Sequence, residues 1–134
     1  MSARNETYAL MRSFEHRGIN IGFDDANTLR RAQITLHRWA ELECGDGNDY
    51  ASWAIERDDD TGLPYMCRYP HDGKMRRLRI PDREAGALRR IAEFCKRLDL
   101  LYYHQTYPRG CALYVSKEPF TQFDYTRGIA CCVD

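Results

Sequence analysis

The chain has 134 residues, 43% of them hydrophobic and 12% aromatic, which is enough apolar material for one core and too much for a disordered tail. Twenty basic and twenty acidic residues cancel, so the composition excludes a protein that coats nucleic acid by bulk positive charge. We therefore expect a single domain that spans residues 1–134.

The charges are distributed unevenly along the chain. Residues 41–60 hold eight acidic residues and one basic residue, whereas residues 68–97 hold ten basic and four acidic residues. If folding separates these two windows, the protein has an acidic and a basic face, and each face can steer a charged partner. If folding brings the windows together, they neutralise each other. The sequence leaves both arrangements open.

The N-terminus, MSARNETYAL, lacks the apolar run of a secretion signal, and no stretch of the sequence is long and apolar enough to span a membrane. We expect a cytoplasmic protein without a membrane partner. Its six cysteines are then mostly buried thiols rather than disulfides.

The first third of the chain contains a weak and a strong helical pattern. A stripe of Tyr8 and Met11, which Leu10 and Phe14 can extend, indicates a short N-terminal helix. A longer helix is predicted from residue 24, because apolar residues recur there at spacings of three and four, and either Gly45 or Gly47 can end it. The apolar stripe of this helix consists of Leu29, Ala32, Leu36, Trp39, Ala40 and Leu42.

Three antiparallel strands are predicted next. Residues 50–57 alternate between two faces, and residues 65–69 and 74–80 follow after turns that contain Gly62 and Gly73. A second amphipathic helix starts after Pro81, with Asp82 as its cap. The apolar stripe of that helix consists of Ala85, Leu88, Ile91, Ala92, Cys95 and Leu98.

The last third predicts strands at residues 100–106, 111–116 and 129–133. A loop at residues 119–128 carries Phe120, Phe123 and Tyr125, and it either folds back on the core or projects as a recognition loop. The whole pattern predicts an α+β fold, in which two amphipathic helices cover one face of a mainly antiparallel sheet of about five or six strands.

Few residues suggest catalysis or metal binding. His104 and Cys111 lie on successive predicted strands, but no catalytic-cysteine motif surrounds them, so we interpret them as a strand-surface histidine and a buried thiol. His37, Cys44 and Asp46 are candidate metal ligands, although His37 and Cys44 are about two helical turns apart. We predict no catalytic residue, metal or cofactor. An unrecognised hydrolase or metalloenzyme is our third interpretation of the function.

Three groups of residues are candidate binding surfaces. An acidic patch can mimic phosphates toward a basic groove, and the aromatic loop can insert into a pocket of a partner. A basic strand and helix, interleaved with tyrosines such as Tyr65 and Tyr69, can bind nucleic acid. The acidic patch comprises Glu56, Asp58, Asp59 and Asp60, and the basic group comprises Arg76, Arg77, Arg79, Arg83, Arg89 and Arg90.

Three segments carry a resemblance to a known group of proteins: LHRWAELECGDGN at residues 36–48, DREAGAL at 82–88 and DLLYYHQTYPRGCALY at 99–114. Over about two thirds of its length, the chain resembles small uncharacterised proteins encoded by tailed phages and prophages of Gram-negative bacteria. That group has no assigned activity, so the resemblance supplies no catalytic residue. It implies a host protein or nucleoprotein complex as partner, which the protein binds and blocks, for example as an anti-CRISPR-type inhibitor of bacterial immunity. Nucleic acid is the alternative partner.

Overall fold

The structure is a computed structural model, and it describes residues 2–44, 50–71, 73–107, 110–121 and 128–131. Within these ranges the chain forms three helices and six strands. The helices are α1 (Ala3–His16), α2 (Phe23–Cys44) and α3 (Asp82–Arg97). The strands are β1 (Tyr50–Arg57), β2 (Pro64–Pro70), β3 (Arg76–Arg79), β4 (Leu101–Tyr107), β5 (Gly110–Ser116) and β6 (Ile129–Ala130).

The α+β class is confirmed, but the strands form two sheets rather than one. One antiparallel sheet has the order β1-β2-β3 and the other β4-β5-β6. Side chains connect the two sheets where β1 meets β4: the Trp53 indole N–H donates to the carbonyl oxygen of Tyr107 at 2.7 Å, and the Thr106 hydroxyl donates to the carbonyl oxygen of Trp53. Strand periodicity alone does not reveal such a junction, because it does not specify which strands pair.

The N-terminal helix α1 is a full helix of 14 residues, so the described chain has three helices where the fold prediction counted two. The Ser2 hydroxyl accepts a hydrogen bond from the Asn5 N–H at 3.2 Å and thereby caps its start. Of its predicted stripe, Leu10 and Phe14 are buried, whereas Met11 is half-buried and Tyr8 is 38% exposed. The ring of Phe14 packs edge-on against Phe94 at 5.8 Å, which joins α1 to α3.

Helix α2 lies against both α3 and β5. Five of the six residues in its predicted stripe are buried: Leu29, Ala32, Leu36, Trp39 and Ala40. Leu42 is 85% exposed, so its assignment to the stripe was wrong. Gln33, a polar residue of this helix, is also fully buried: its side-chain N–H donates to the carbonyl oxygen of Cys111 on β5 at 2.9 Å, whereas its Oε1 has no hydrogen-bond partner among the described residues.

Helix α3 packs against the rest of the protein through two apolar surfaces. Ala87, Ile91, Phe94 and Cys95 are buried in the core. Ala85 and Leu88 are half-buried at the edge of that core, on the flank of the helix. Pro81, not Asp82, is the residue that precedes the helix, and Asp82 makes no capping bond because its carboxylate binds Arg79 at 2.6 Å.

None of the described helices is both long enough and apolar enough to cross a bilayer.

Candidate binding cavity

A cavity of about 300 Å³ lies between the flank of α3, the end of β1 and strand β4. This volume is at the lower end of the range for small-molecule sites. Three separate segments of the chain contribute to its wall. The lining residues are Ile55, Glu56, Arg57, Gly62, Leu63, Pro64, Ala85, Leu88, Arg89, Ala92, Glu93, Tyr102 and His104.

The wall of the cavity is mostly apolar because of how its elements meet. Ala85, Leu88 and Ala92 follow helical spacing along the flank of α3, and Ile55 faces them from the core side of β1. Leu63 is 60% exposed and lies at the opening. An exposed leucine beside an apolar cavity is surface that a partner can bury with a gain in free energy.

A tight turn holds Leu63 at the opening. The Asp58 N–H donates to the carbonyl oxygen of Leu63 at 3.0 Å, and the Gly62 N–H donates to the carbonyl oxygen of Asp58 at 2.8 Å. Gly62 has φ of 70°, a conformation that glycine adopts without a steric penalty. The predicted Gly62 turn is therefore confirmed, and it forms one side of the cavity opening.

Four charged side chains line the cavity. They are Glu56 and Arg57 from β1, and Arg89 and Glu93 from α3. None of the four forms an ion pair with another described residue. The opening thus has an apolar wall and four charges that remain available to a partner.

His104 is the most unusual residue of the cavity wall. Its side chain lies on the core-facing side of β4, in register with Leu113 of β5, and its ring meets Tyr102 edge-on at 5.7 Å. Both ring nitrogens are buried, and neither has a hydrogen-bond partner among the described residues. Burial lowers the pKa of His104 to about 4, so the ring is neutral at pH 7.

The interpretation of His104 as a strand-surface residue was therefore wrong. An unpaired buried polar group costs about 1–3 kcal/mol. Cys111 is buried as predicted and lies in register with Thr106, and it supplies no hydrogen bond to His104. The two residues share a sheet face without forming a catalytic pair.

The acidic patch divides into structural and exposed residues. Asp58 accepts hydrogen bonds from the N–H groups of Asp60 at 2.8 Å and Thr61 at 2.9 Å, and it also binds Arg77. The Thr61 N–H is the largest of the causes that lower the pKa of Asp58 to about 2. Asp58 therefore holds the turn, while the exposed Glu56 lines the cavity and Asp59 and Asp60 are exposed on the turn before Leu63.

The six basic candidates do not form one surface. Arg77 and Arg79 lie on the outer face of the first sheet, where the Arg77 guanidinium stacks over the Tyr65 ring at 3.6 Å and is bonded to Asp58. Arg79 binds Asp82. Arg76 points to the opposite face of β3, and Arg83, Arg89 and Arg90 belong to α3. Arg76, Arg83, Arg89 and Arg90 are all exposed.

The acidic and basic windows of the sequence adjoin in space. Asp58 binds Arg77, and Glu43 binds Arg68 at 2.6 Å. The sequence left open whether the two windows lie apart or neutralise each other. At these two ion pairs they neutralise each other.

No family model, curated protein or solved structure matches this chain. The candidate site is therefore judged by its own geometry.

The other candidates lie away from the cavity. Phe120 is half-buried against Tyr103 at 6.0 Å, on the outer face of the second sheet, whereas Phe123 and Tyr125 lie outside the described residues. The His37 ring contacts the carbonyl oxygen of Cys111 at 3.3 Å. The side chain of Cys44 and all of Asp46 also lie outside the described part, as do Gly45 and Gly47, the predicted end of the long helix. Among the residues that are described, no group of three or more potential metal ligands comes together.

Sequence reasoning missed Leu63, Tyr102 and His104 as members of a site. The alternation along β4 places Tyr102, His104 and Thr106 on one face, and the buried Leu113 and Val115 of β5 identify that face as the inner one. This pattern was available in the sequence for His104. Leu63, between a glycine and a proline, had no comparable pattern.

Proposed function

We propose that the protein is a non-enzymatic binding protein that attaches to a partner protein or nucleoprotein complex through this cavity and blocks it by steric occlusion. The observation that carries the proposal is the open apolar cavity with the exposed Leu63 at its opening. Protein interfaces gain most of their energy from a few side chains that fill such pockets.

The charges around the opening define the kind of partner. The lining holds Glu56 and Glu93 against Arg57 and Arg89, and the exposed Asp59 and Asp60 on the turn before Leu63 add two further negative charges. A partner that presents an apolar or aromatic side chain flanked by lysine or arginine is therefore complementary. Asp58 is not part of this contact, because its carboxylate is already used within the turn. Of the four predicted acidic residues, three thus support the proposal.

The biological setting of the proposal comes from the sequence resemblance to phage-encoded proteins. It supports a partner in the cytoplasm of a bacterial host, and a complex of bacterial immunity is the class that we favour.

The proposal is tested by affinity capture from host lysate with tagged variants, at low and high salt and with nuclease. We expect Leu63→Asp, and separately the double variant Asp59→Lys with Asp60→Lys, to lose at least about tenfold of the captured partner, which corresponds to about 1.4 kcal/mol. Leu42→Asp is the matched apolar control, because Leu42 is 85% exposed and does not line the cavity.

The matched charge control is Glu41→Lys with Glu118→Lys, since both residues are exposed and neither lines the cavity. This double variant changes the net charge by the same amount as the double variant of the turn. If each control lost as much partner as the variant it matches, capture would depend on net charge and not on this surface. Retention of the partner by Leu63→Asp would refute the proposed surface.

Nucleic-acid binding remains a second candidate, and one observation favours it. The outer face of the first sheet presents Tyr69, which is 40% exposed, together with Tyr65, Arg77 and Arg79. Base stacking on an aromatic ring contributes about 1–3 kcal/mol per base. Under this candidate, Tyr69→Ala weakens the binding of single-stranded oligonucleotides, Arg79→Gln lowers the salt dependence, and Leu63→Asp changes neither.

A further inference from the structure

We infer that the cavity takes a phenol-type group, meaning an aromatic ring with one hydroxyl that reaches His104. The identity of this group as a tyrosine side chain of the partner rests on the proposed function, whereas its phenol-type chemistry does not.

His104 lacks hydrogen bonds that an occupant of the cavity can supply. A neutral imidazole has one N–H donor and one acceptor nitrogen, and in His104 both are buried without a partner among the described residues. A hydroxyl can donate to the acceptor nitrogen or accept from the N–H. It therefore fits either tautomer of the ring.

The size of the cavity and the chemistry of its wall suit an aromatic ring. The cavity of about 300 Å³ accommodates a single six-membered ring with its substituents. Leu88 and Ala92 offer an aliphatic surface from α3, and Tyr102 offers an aromatic one from β4. An aromatic ring can pack on both surfaces, edge-on or offset against Tyr102.

The charge of the lining restricts the occupant further. The two acidic and two basic residues that line the cavity balance, so its lining favours neither a cation nor an anion. A neutral hydroxyl that gains a hydrogen bond inside an apolar wall is far cheaper to desolvate than a carboxylate or an ammonium group. The occupant is therefore polar at one end and uncharged.

The test is a titration of the purified full-length protein with p-cresol and with toluene, followed by two-dimensional amide NMR spectra. We expect p-cresol to bind about tenfold more tightly than toluene, and its shifts to concentrate on residues 55–64, 85–93 and 102–104. Equal affinities, or the absence of shifts at these residues, would overturn the inference.

Two substitutions connect the preference to the histidine. His104→Phe and His104→Leu should both abolish the preference for p-cresol, and the leucine variant keeps the cavity open should phenylalanine fill it. His16→Phe is the matched control, because His16 is exposed at the end of α1. A preference that persists in both His104 variants would contradict the assignment of the hydroxyl to His104.

The titration needs no partner, so its result can be separated from that of the capture experiment. If p-cresol binds but Leu63→Asp still captures the partner, the proposed function fails and the ligand site stands. If Leu63→Asp loses the partner but p-cresol does not bind, the proposed function stands and this inference fails. If both succeed, p-cresol should displace the captured partner, and failure to displace it would refute the tyrosine assignment.

Discussion

Asp58 shows how a single residue can belong to an acidic run and yet serve the fold. Its carboxylate accepts two backbone hydrogen bonds and binds Arg77, which lowers its pKa from 3.8 to about 2. A carboxyl group with a lowered pKa in the folded state adds stability above the unfolded pKa. That contribution disappears as the pH falls through the folded pKa.

We therefore predict that Asp58→Asn is less stable than the wild type above about pH 4 and that the difference vanishes as the pH falls toward about 2. Asparagine keeps an oxygen for the turn but loses the charge. The measurement is urea unfolding at a series of pH values, with Asp59→Asn as the control, because Asp59 is the exposed neighbour. A constant difference between Asp58→Asn and the wild type over this pH range would contradict the prediction.

His104 also has a lowered pKa, but burial rather than hydrogen bonding is the cause. Its pKa falls from 6.5 to about 4 through burial, so the unfolded chain binds a proton at a pH where the folded protein does not. Stability must then decrease as the pH falls from about 6.5 to about 4. The charged groups that line the same cavity are Glu56 and Arg57 on β1 and Arg89 and Glu93 on α3, and Tyr102 is the titratable neighbour on β4.

We predict that the free energy of unfolding falls by about 3 kcal/mol more in the wild type than in His104→Phe between pH 6.5 and pH 4. The same substitution should cost little at pH 7, since it removes two buried unpaired nitrogens. His16→Phe should retain the slope of the wild type. If the free energy of unfolding had the same pH dependence in the wild type and in His104→Phe, the prediction would be wrong, because the folded ring would then bind its proton as readily as the unfolded chain does.

At the scale of elements, the junction of β1 and β4 determines how the two sheets are placed. Thr106 and Trp53 supply the hydrogen bonds across it, and Trp39 packs edge-on against Trp53 at 6.3 Å. The cavity lies between these two strands and α3, so the junction also positions the site.

We predict that Thr106→Val destabilises the protein by about 1–3 kcal/mol, because the isosteric side chain leaves the Trp53 carbonyl oxygen without this donor. Thr35→Val is the control, since the half-buried Thr35 donates a solvent-exposed hydrogen bond back to the carbonyl oxygen of Arg31 within α2. Urea unfolding of both variants provides the comparison. Equal small losses would show that the junction contributes no more than a surface hydroxyl.

The elements themselves were largely predictable, and their arrangement was not. The bounds of β1 match the predicted residues 50–57, and α2 begins within one residue of its predicted start, because local periodicity determines both. The prediction of one sheet of five or six strands was wrong, since strand pairing depends on contacts that are distant in sequence. Asp82 was misassigned as a cap because the competing partner, Arg79, belongs to a different element.

At the scale of the whole molecule, the site is a product of the tertiary structure. Its wall combines residues 55–64, 85–93 and 102–104, which no local pattern relates to each other. The charged windows were visible in the sequence, but the pairing of Asp58 with Arg77 removes both from the charge that a partner meets. In the lining and on the adjoining turn, four acidic side chains then outnumber two basic ones.

The central claim is that the partner binds at this opening, and site-specific photocrosslinking in living bacterial cells tests it most directly. A photoreactive phenylalanine analogue would replace Leu63 in one variant and Leu42, exposed elsewhere on the surface, in the other. We predict a discrete crosslinked species from position 63 and none from position 42. A crosslink from position 42 without one from position 63 would contradict the account.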